Sequence, residues 1–216
     1  MNDSIHSYIE GLVKERNLLL TEMEIYAKEQ KVPIMELVGI ENLLQLLRIQ
    51  QPARILEVGT AIGYSVLRMA EALPQGQFVT IERDLKRYKE AQSFIARSEA
   101  KDRITLIHGD ALDVNEIIDP LAPFDAIFID AAKGQYKKFF ELYTPMLSVA
   151  GIVYTDNVLF KGFVTNLESI NSRNLKMLVK KIQHYNEWLM GHSHFQTSIL
   201  PVGDGLAISI KRGETI

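Results

Sequence analysis

Several short groups of residues in this chain are of types that do chemistry. Glu57-x-Gly59-x-x-x-Gly63 is a carboxylate followed by two glycines, and Ser65 comes two residues later. Glu82 and Asp110 each stand just after an apolar run, as do Asp130 and the pair Asp156-Asn157. Lys133 follows Asp130 by three positions. The glycines let a backbone come close to a ligand and let a helix pack near a strand. A dinucleotide loop, G-x-G-x-x-G, would need glycine at Ala61 and Tyr64, so pyrophosphate binding is not expected. A carboxylate at Glu57, facing the ligand from a strand end, would repel a pyrophosphate and attract an ammonium group. That combination points to an amino-acid-bearing nucleoside rather than NAD.

The other acids have two readings each. Glu82, about twenty residues beyond the loop, can accept hydrogen bonds from both ribose hydroxyls, or it can be part of a solvated helix start with Arg83 and Asp84. Asp110, after Gly109, can meet an adenine amino group, or Asp110 or Asp113 can cap a helix. His108 has no assigned chemistry. Asp130, Asp156 and Asn157 are hard oxygen donors without histidine or cysteine, a set that suits Mg²⁺ completed by waters and substrate. A single aspartate at a strand end is often a cap, whereas two adjacent strand ends carrying these three, with Lys133 nearby, form a specific combination. Lys133, taken by itself, reads as a solvated helix lysine.

These groups need an α/β scaffold to bring them together. Ile55–Val58, Gln77–Glu82, Arg103–His108, Phe124–Asp130 and Ile152–Asn157 read as parallel strands, with helices over 64–73 and 84–98. Ligands in such sheets sit at the carboxyl ends of the strands near the reversal of strand order. Residues 4–50 read as three helices. Thr21-Glu22-Met23-Glu24 has capping-box spacing, and Leu37, Ile40, Leu43, Leu44 and Leu47 recur at helical intervals. A long amphipathic helix over 173–190 precedes two strands, 195–200 and 206–210, joined by Pro201-Val202-Gly203-Asp204-Gly205 too tightly for anything but an antiparallel hairpin.

At 216 residues the chain suits one α/β domain, 1–216, with a helical segment over 1–50 and a core over 51–211. It contains no cysteine, which excludes a disulfide, a thiolate nucleophile or a cysteine metal site. No apolar run approaches a membrane span, and Met1-Asn2-Asp3-Ser4 lacks a signal-peptide pattern, so a cytoplasmic protein without membrane contact is expected. The formal charge of -3 is unevenly spread. Between Lys133 and Lys181 eight basic residues face three acidic ones, about +5, leaving about -8 elsewhere. Lys161, Arg173, Lys176, Lys180 and Lys181 carry most of that excess, either as a nucleic-acid contact or as a solvated helix face.

Glu57 to Ser65 resembles the first motif of class I S-adenosylmethionine-dependent methyltransferases, and its Gly-Tyr-Ser form resembles the metal-dependent catechol and caffeoyl-CoA O-methyltransferases. The resemblance covers about residues 33–211. It implies a Rossmann-like, mostly parallel seven-stranded sheet with one antiparallel strand, helices on both faces and extra N-terminal helices. It also implies S-adenosylmethionine and Mg²⁺ as cofactors and a homodimer. Met35, Glu57, Gly59, Gly63, Ser65, Glu82, Asp110, Ala111 and Asp130 would contact the cofactor, with Val32-Pro33-Ile34-Met35 closing over it. Asp130, Asp156 and Asn157 would hold the metal, and Lys133 would take the acceptor proton beside Asp130. The acidic third contact to the acceptor in the animal catechol enzymes falls near Ser198 here, so this acceptor would be gripped differently.

Across the whole chain, Phe128–Tyr136, Asp156–Gly162 and Pro201–Leu206 resemble the bacterial tRNA 5-hydroxyuridine methyltransferases. A 5-hydroxyl beside the 4-carbonyl is a chelating pair like a catechol, and the basic window would hold the anticodon loop. The alternative acceptor is a small catechol or caffeoyl-type phenol. A nucleoside-binding regulator without catalysis leaves the oxygen-ligand set unexplained.

Overall fold

The computed structural model describes residues 3–212; the N-terminal reading at Met1 and Asn2 lies outside them. Three helices, α1 (Asp3–Glu10), α2 (Leu18–Gln30) and α3 (Leu37–Gln50), precede the first strand. The chain then alternates: β1 (Arg54–Val58), α4 (Tyr64–Ala72), β2 (Gln77–Glu82), α5 (Leu85–Ala96), β3 (Ile104–His108), the short α6 (Asn115–Ile118), β4 (Phe124–Ile129), α7 (Tyr136–Tyr143) and β5 (Leu147–Thr155). It ends with α8 (Arg173–Met190), β6 (Phe195–Leu200) and β7 (Leu206–Lys211).

The seven strands form one sheet in the order β3-β2-β1-β4-β5-β7-β6. All pairs from β3 to β5 are parallel, and β7 runs antiparallel to both β5 and β6. Because side chains alternate across a strand, β1 feeds two cores. Ile55 packs with α2 to α5 on one face, and Leu56 and Val58 pack with α6 to α8 on the other. The buried side of α3, Ile40, Leu43, Leu44 and Leu47, follows the helical repeat expected of it. Val179, Ile182, Tyr185 and Leu189 do the same for α8.

The capping box at Thr21 is not formed. Helix α2 begins earlier, with Asn17 in an extended conformation accepting a hydrogen bond from the Leu20 N–H at 2.9 Å. Asparagine is as good an N-cap as threonine, and Leu18-Leu19-Leu20 favours extending the helix back to it. Thr21 therefore sits inside the helix, its N–H bonded to the Asn17 carbonyl.

Strand order reverses between β1 and β4, and the parallel ladder runs on past the strand ends there. The Gly59 N–H donates to the Ile81 carbonyl, Asp130 N–H to Val58, and Asp156 N–H to Ile129, each within 3.1 Å. Backbone pairing thus fixes the residues just beyond β1, β4 and β5 side by side. Among the described residues no helix is long and apolar enough to cross a membrane.

Candidate active site

A cavity of about 370 Å³ opens at this switch point. The glycine loop forms its floor. Gly59 has φ +107°, and a Cβ there would lie 2.0 Å from the Asp130 carbonyl oxygen, so only glycine lets the turn after β1 pass this close to the end of β4. Gly63, at φ +89°, turns the chain into α4.

One end of the cavity is acidic in a way that suits a ribose. Glu82 is 7% exposed, and each of its carboxylate oxygens accepts one backbone N–H at 2.8 Å, from Ala61 and from Asp84. Those two bonds fix the carboxylate and leave its remaining lone pairs for the ligand. Asp110 accepts from the Leu112 N–H at 2.9 Å, which shapes the turn before α6, while Ala111 presents its carbonyl to the buried Tyr143 hydroxyl. Asp110 and Ala111 both border the cavity, as do Met35 and its neighbours Pro33 and Ile34.

The other end gathers acids. Asp130, Asp156, Asn157 and Asp204 all border it, with Lys133. Burial raises the Asp130 carboxyl above its usual range, the Lys133 ammonium opposes that, and Asp204 adds to it. Burial pushes Asp156 well above the carboxylate range, Asp130 pushes it further, and the Asn157 N–H and Lys133 pull it back. Asn157 adopts φ +67°, a region asparagine tolerates. Its Oδ1 is buried and has no hydrogen-bond partner. A stranded amide oxygen beside mutually repelling carboxylates is what a hard divalent cation would satisfy. Among the described residues no three His, Cys, Asp or Glu side chains are placed to hold one metal ion between them, so the protein's own donors would be two carboxylates and this amide. The scaffold under them is rigid: the buried Tyr136 hydroxyl donates to the Asp156 carbonyl at 3.0 Å, and Asn186 Nδ2 donates to the Val158 carbonyl at 2.8 Å.

Glu57 does not face the ligand. It is wholly buried under the loop, accepting hydrogen bonds from Ser65 and Thr80. Strand alternation is the reason: Glu57 shares the face of Ile55 and points under α4, while Ser65 is the residue that reaches the cavity wall. Ser198 is likewise remote, lying in a shallow groove between α3 and the β5–β7–β6 face, and the further acid that borders the cavity with Asp130 and Asp156 is Asp204. Residues that the sequence did not single out also matter here. Phe160 places its ring 5.5 Å from the Lys133 ammonium, and Glu36 and Arg87 border the cavity. Phe160 lies within the Asp156–Gly162 stretch of the resemblance, which gives it no role of its own.

Of the basic residues, Arg173, Lys180 and Lys181 are exposed on α8, Lys176 is half-buried there, and Lys161 is exposed in the loop after Asn157. Lys181 lies against Gly134, the residue next to Lys133, so the stripe reaches the cavity rim at that point.

A doubly wound sheet with a glycine loop, a fixed ribose-type carboxylate and an acid cluster at one switch point is the architecture of a nucleoside-cofactor methyltransferase. The chain belongs to the O-methyltransferase family, whose model matches residues 10–212. It is 30% identical to a catechol O-methyltransferase of Niastella koreensis over 218 aligned residues, covering 96% of each chain. A solved structure of a candidate caffeoyl-CoA O-methyltransferase from Staphylococcus aureus superimposes with a TM-score of 0.90 at 40% identity, covering 95% of this chain and 98% of that one. The O-methyltransferase TomG of Streptomyces achromogenes, solved with S-adenosylmethionine, superimposes at 0.82 with 27% identity over 97% of this chain and 96% of its own. This protein is an S-adenosylmethionine-dependent O-methyltransferase of the caffeoyl-CoA and catechol type.

Proposed function

We propose that the chain methylates the 5-hydroxyl of wobble 5-hydroxyuridine in tRNA, giving 5-methoxyuridine, with Mg²⁺ held by Asp130, Asp156 and Asn157. The observation that carries the metal is the buried, unpartnered Asn157 Oδ1 beside two repelling carboxylates. The observation that favours a polyanionic acceptor is the basic stripe of α8 meeting the cavity rim through Lys181 and Gly134. When bound, the cation would supply the positive charge that draws two adjacent acceptor oxygens together and acidifies the hydroxyl. Lys133, at the same end of the cavity, takes the proton of that hydroxyl at Nζ and must be neutral when it does so. Glu82 orients the ribose, and Met35 with Pro33 and Ile34 walls the cofactor from water. Arg173, Lys176, Lys180 and Lys181 hold backbone phosphates of the anticodon loop. The protein acts as a homodimer, a reading supported by the exposed apolar residues Ile5 and Tyr8 on α1 and Leu12 in the turn just after it.

A small phenolic acceptor is the second reading, favoured by the catechol and caffeoyl-CoA names of the relatives. Labelled methyl donor and Mg²⁺ with either hypomodified bacterial tRNA or a panel of catechols separates the two. Label in tRNA is expected. Replacing Arg173, Lys176, Lys180 and Lys181 together by Ala should weaken tRNA binding and lower the slope of its salt dependence by up to about four counterions, while leaving any catechol turnover unchanged. Efficient catechol methylation with none in tRNA would overturn the first reading.

A further inference from the structure

A chain of charged side chains among the N-terminal helices takes no part in the chemistry above. Arg16, in the connection between α1 and α2, grips Glu24 of α2 with two hydrogen bonds, Nε to Oε1 at 2.8 Å and Nη2 to Oε2 at 2.9 Å. Glu24 Oε1 also accepts from the Tyr64 hydroxyl at 2.6 Å, and that hydroxyl accepts from Arg68 Nη1 at 2.7 Å. Arg68 Nη2 donates to Glu41 of α3. Burial works against an ionised Glu24, but the Arg16 and Tyr64 bonds outweigh it and hold the carboxyl below its usual range. Arg68 is only 4% exposed, and its Nε is buried without a partner. An apolar side chain of similar length would leave nothing unpaired there, so stability alone does not account for this arginine.

Tyr64 and Arg68 stand one turn apart at the start of α4, directly after Gly63 of the glycine loop. Through them α2 and α3 are fastened to the same turn of the same helix. The connection between α2 and α3 is the segment that brings Pro33, Ile34, Met35 and Glu36 to the cavity wall. Elsewhere the three helices meet in one apolar cluster, where contact is non-directional and lets helices shift against one another. A forked ion pair and a shared hydroxyl hold one register. We propose that Arg68, with Arg16, Glu24, Tyr64 and Glu41, is a positioning device that holds the α2–α3 connection over the glycine loop and so retains the cofactor. Arg16, Glu24, Glu41 and Arg68 lie outside the cavity wall and act through the segment that forms it. The proposal rests on the cofactor assignment above. If a broken fastening leaves the connection in place about a tenth of the time, the apparent dissociation constant rises about tenfold.

The experiment is calorimetry of S-adenosylhomocysteine, together with hydrogen exchange, on the parent protein, Arg68→Met and Arg16→Met. Removing either arginine leaves a carboxylate that water reaches, since the Glu41 and Glu24 side chains are 30% and 24% exposed. Affinity should fall by about threefold to thirtyfold in Arg68→Met, and by less in Arg16→Met, the usual range for residues coupled to a site they do not touch. In the empty variants the amides flanking the connection, 28–32 and 40–43, should exchange faster while those of β1 and β4 keep the parent's rates. Saturating S-adenosylhomocysteine should slow the flanking amides again, because the coupling is reciprocal. Parent-like affinity in the folded variants overturns the proposal and leaves the cofactor assignment intact. So does an affinity loss with exchange faster throughout, strands included, which is what a residue serving only the fold would give. If Arg68→Met does not fold, Arg16→Met decides by the same readings. No binding by the parent protein would remove the cofactor assignment and the proposal with it.

Discussion

Asp156 is the residue on which the metal reading can be tested by stability alone. It is 4% exposed, its carboxyl is pushed well above the usual range by burial and by Asp130, and Asp204 adds to the repulsion. Without a cation the site therefore stores unfavourable energy, and Asp156→Asn removes one charge while keeping shape. The expected gain for the metal-free protein at neutral pH is about 1–2 kcal/mol, the usual return on relieving strain at a functional site. At roughly 2–4 °C per kcal/mol for a chain of this size, the melting temperature should rise by about 2–8 °C. The sign with pH follows from linkage. A carboxyl raised in the folded state contributes stability below its unfolded pKa and loses it as pH rises through the folded value. The advantage of Asn should thus shrink on acidification, where the parent carries the proton itself. Mg²⁺ at a hundred times its dissociation constant should stabilise the parent by about 2.7 kcal/mol and the variant by much less. Differential scanning fluorimetry with and without Mg²⁺, from pH 4.5 to 8, measures all of this. A lower melting temperature for metal-free Asp156→Asn, or an undiminished Mg²⁺ shift in it, would refute the reasoning.

Two further outcomes follow from the same geometry. Lys133→Met should lower kcat by about 10²–10⁴-fold with donor-analogue affinity nearly unchanged, and Lys133→Arg should not restore it because a guanidinium does not give up its proton; substantial turnover in the Met variant would remove the lysine from proton transfer. Gly59→Ala places a methyl 2.0 Å from the Asp130 carbonyl at φ +107°, so urea melts should show a loss of about 3–5 kcal/mol or no folded protein.

The β1-to-α4 turn, the acids at the ends of β2, β4 and β5, and the final hairpin were all legible in the sequence. Each depends on local pattern: an apolar run of strand length, glycines where a backbone must turn left-handed or come close, and a loop too short for a crossover. The start of α2 was misread because Asn17 and Thr21 are both competent caps, and choosing between them needs knowledge of what Leu20 and Met23 pack against. The side to which Glu57 points was also out of reach. Its position in sequence placed it at a strand end, but which face of β1 lies under α4, and that Thr80 of β2 stands beside it, are properties of the assembled sheet. The same holds for the orphaned Asn157 oxygen and for the approach of Lys181 to Gly134, which join segments far apart in the chain. Sequence patterning determined which chemical groups this protein owns and which strand ends carry them. Burial decided which of them touch the ligand, because desolvation and hydrogen-bond pairing exist only once the sheet and its helices have closed around each carboxylate.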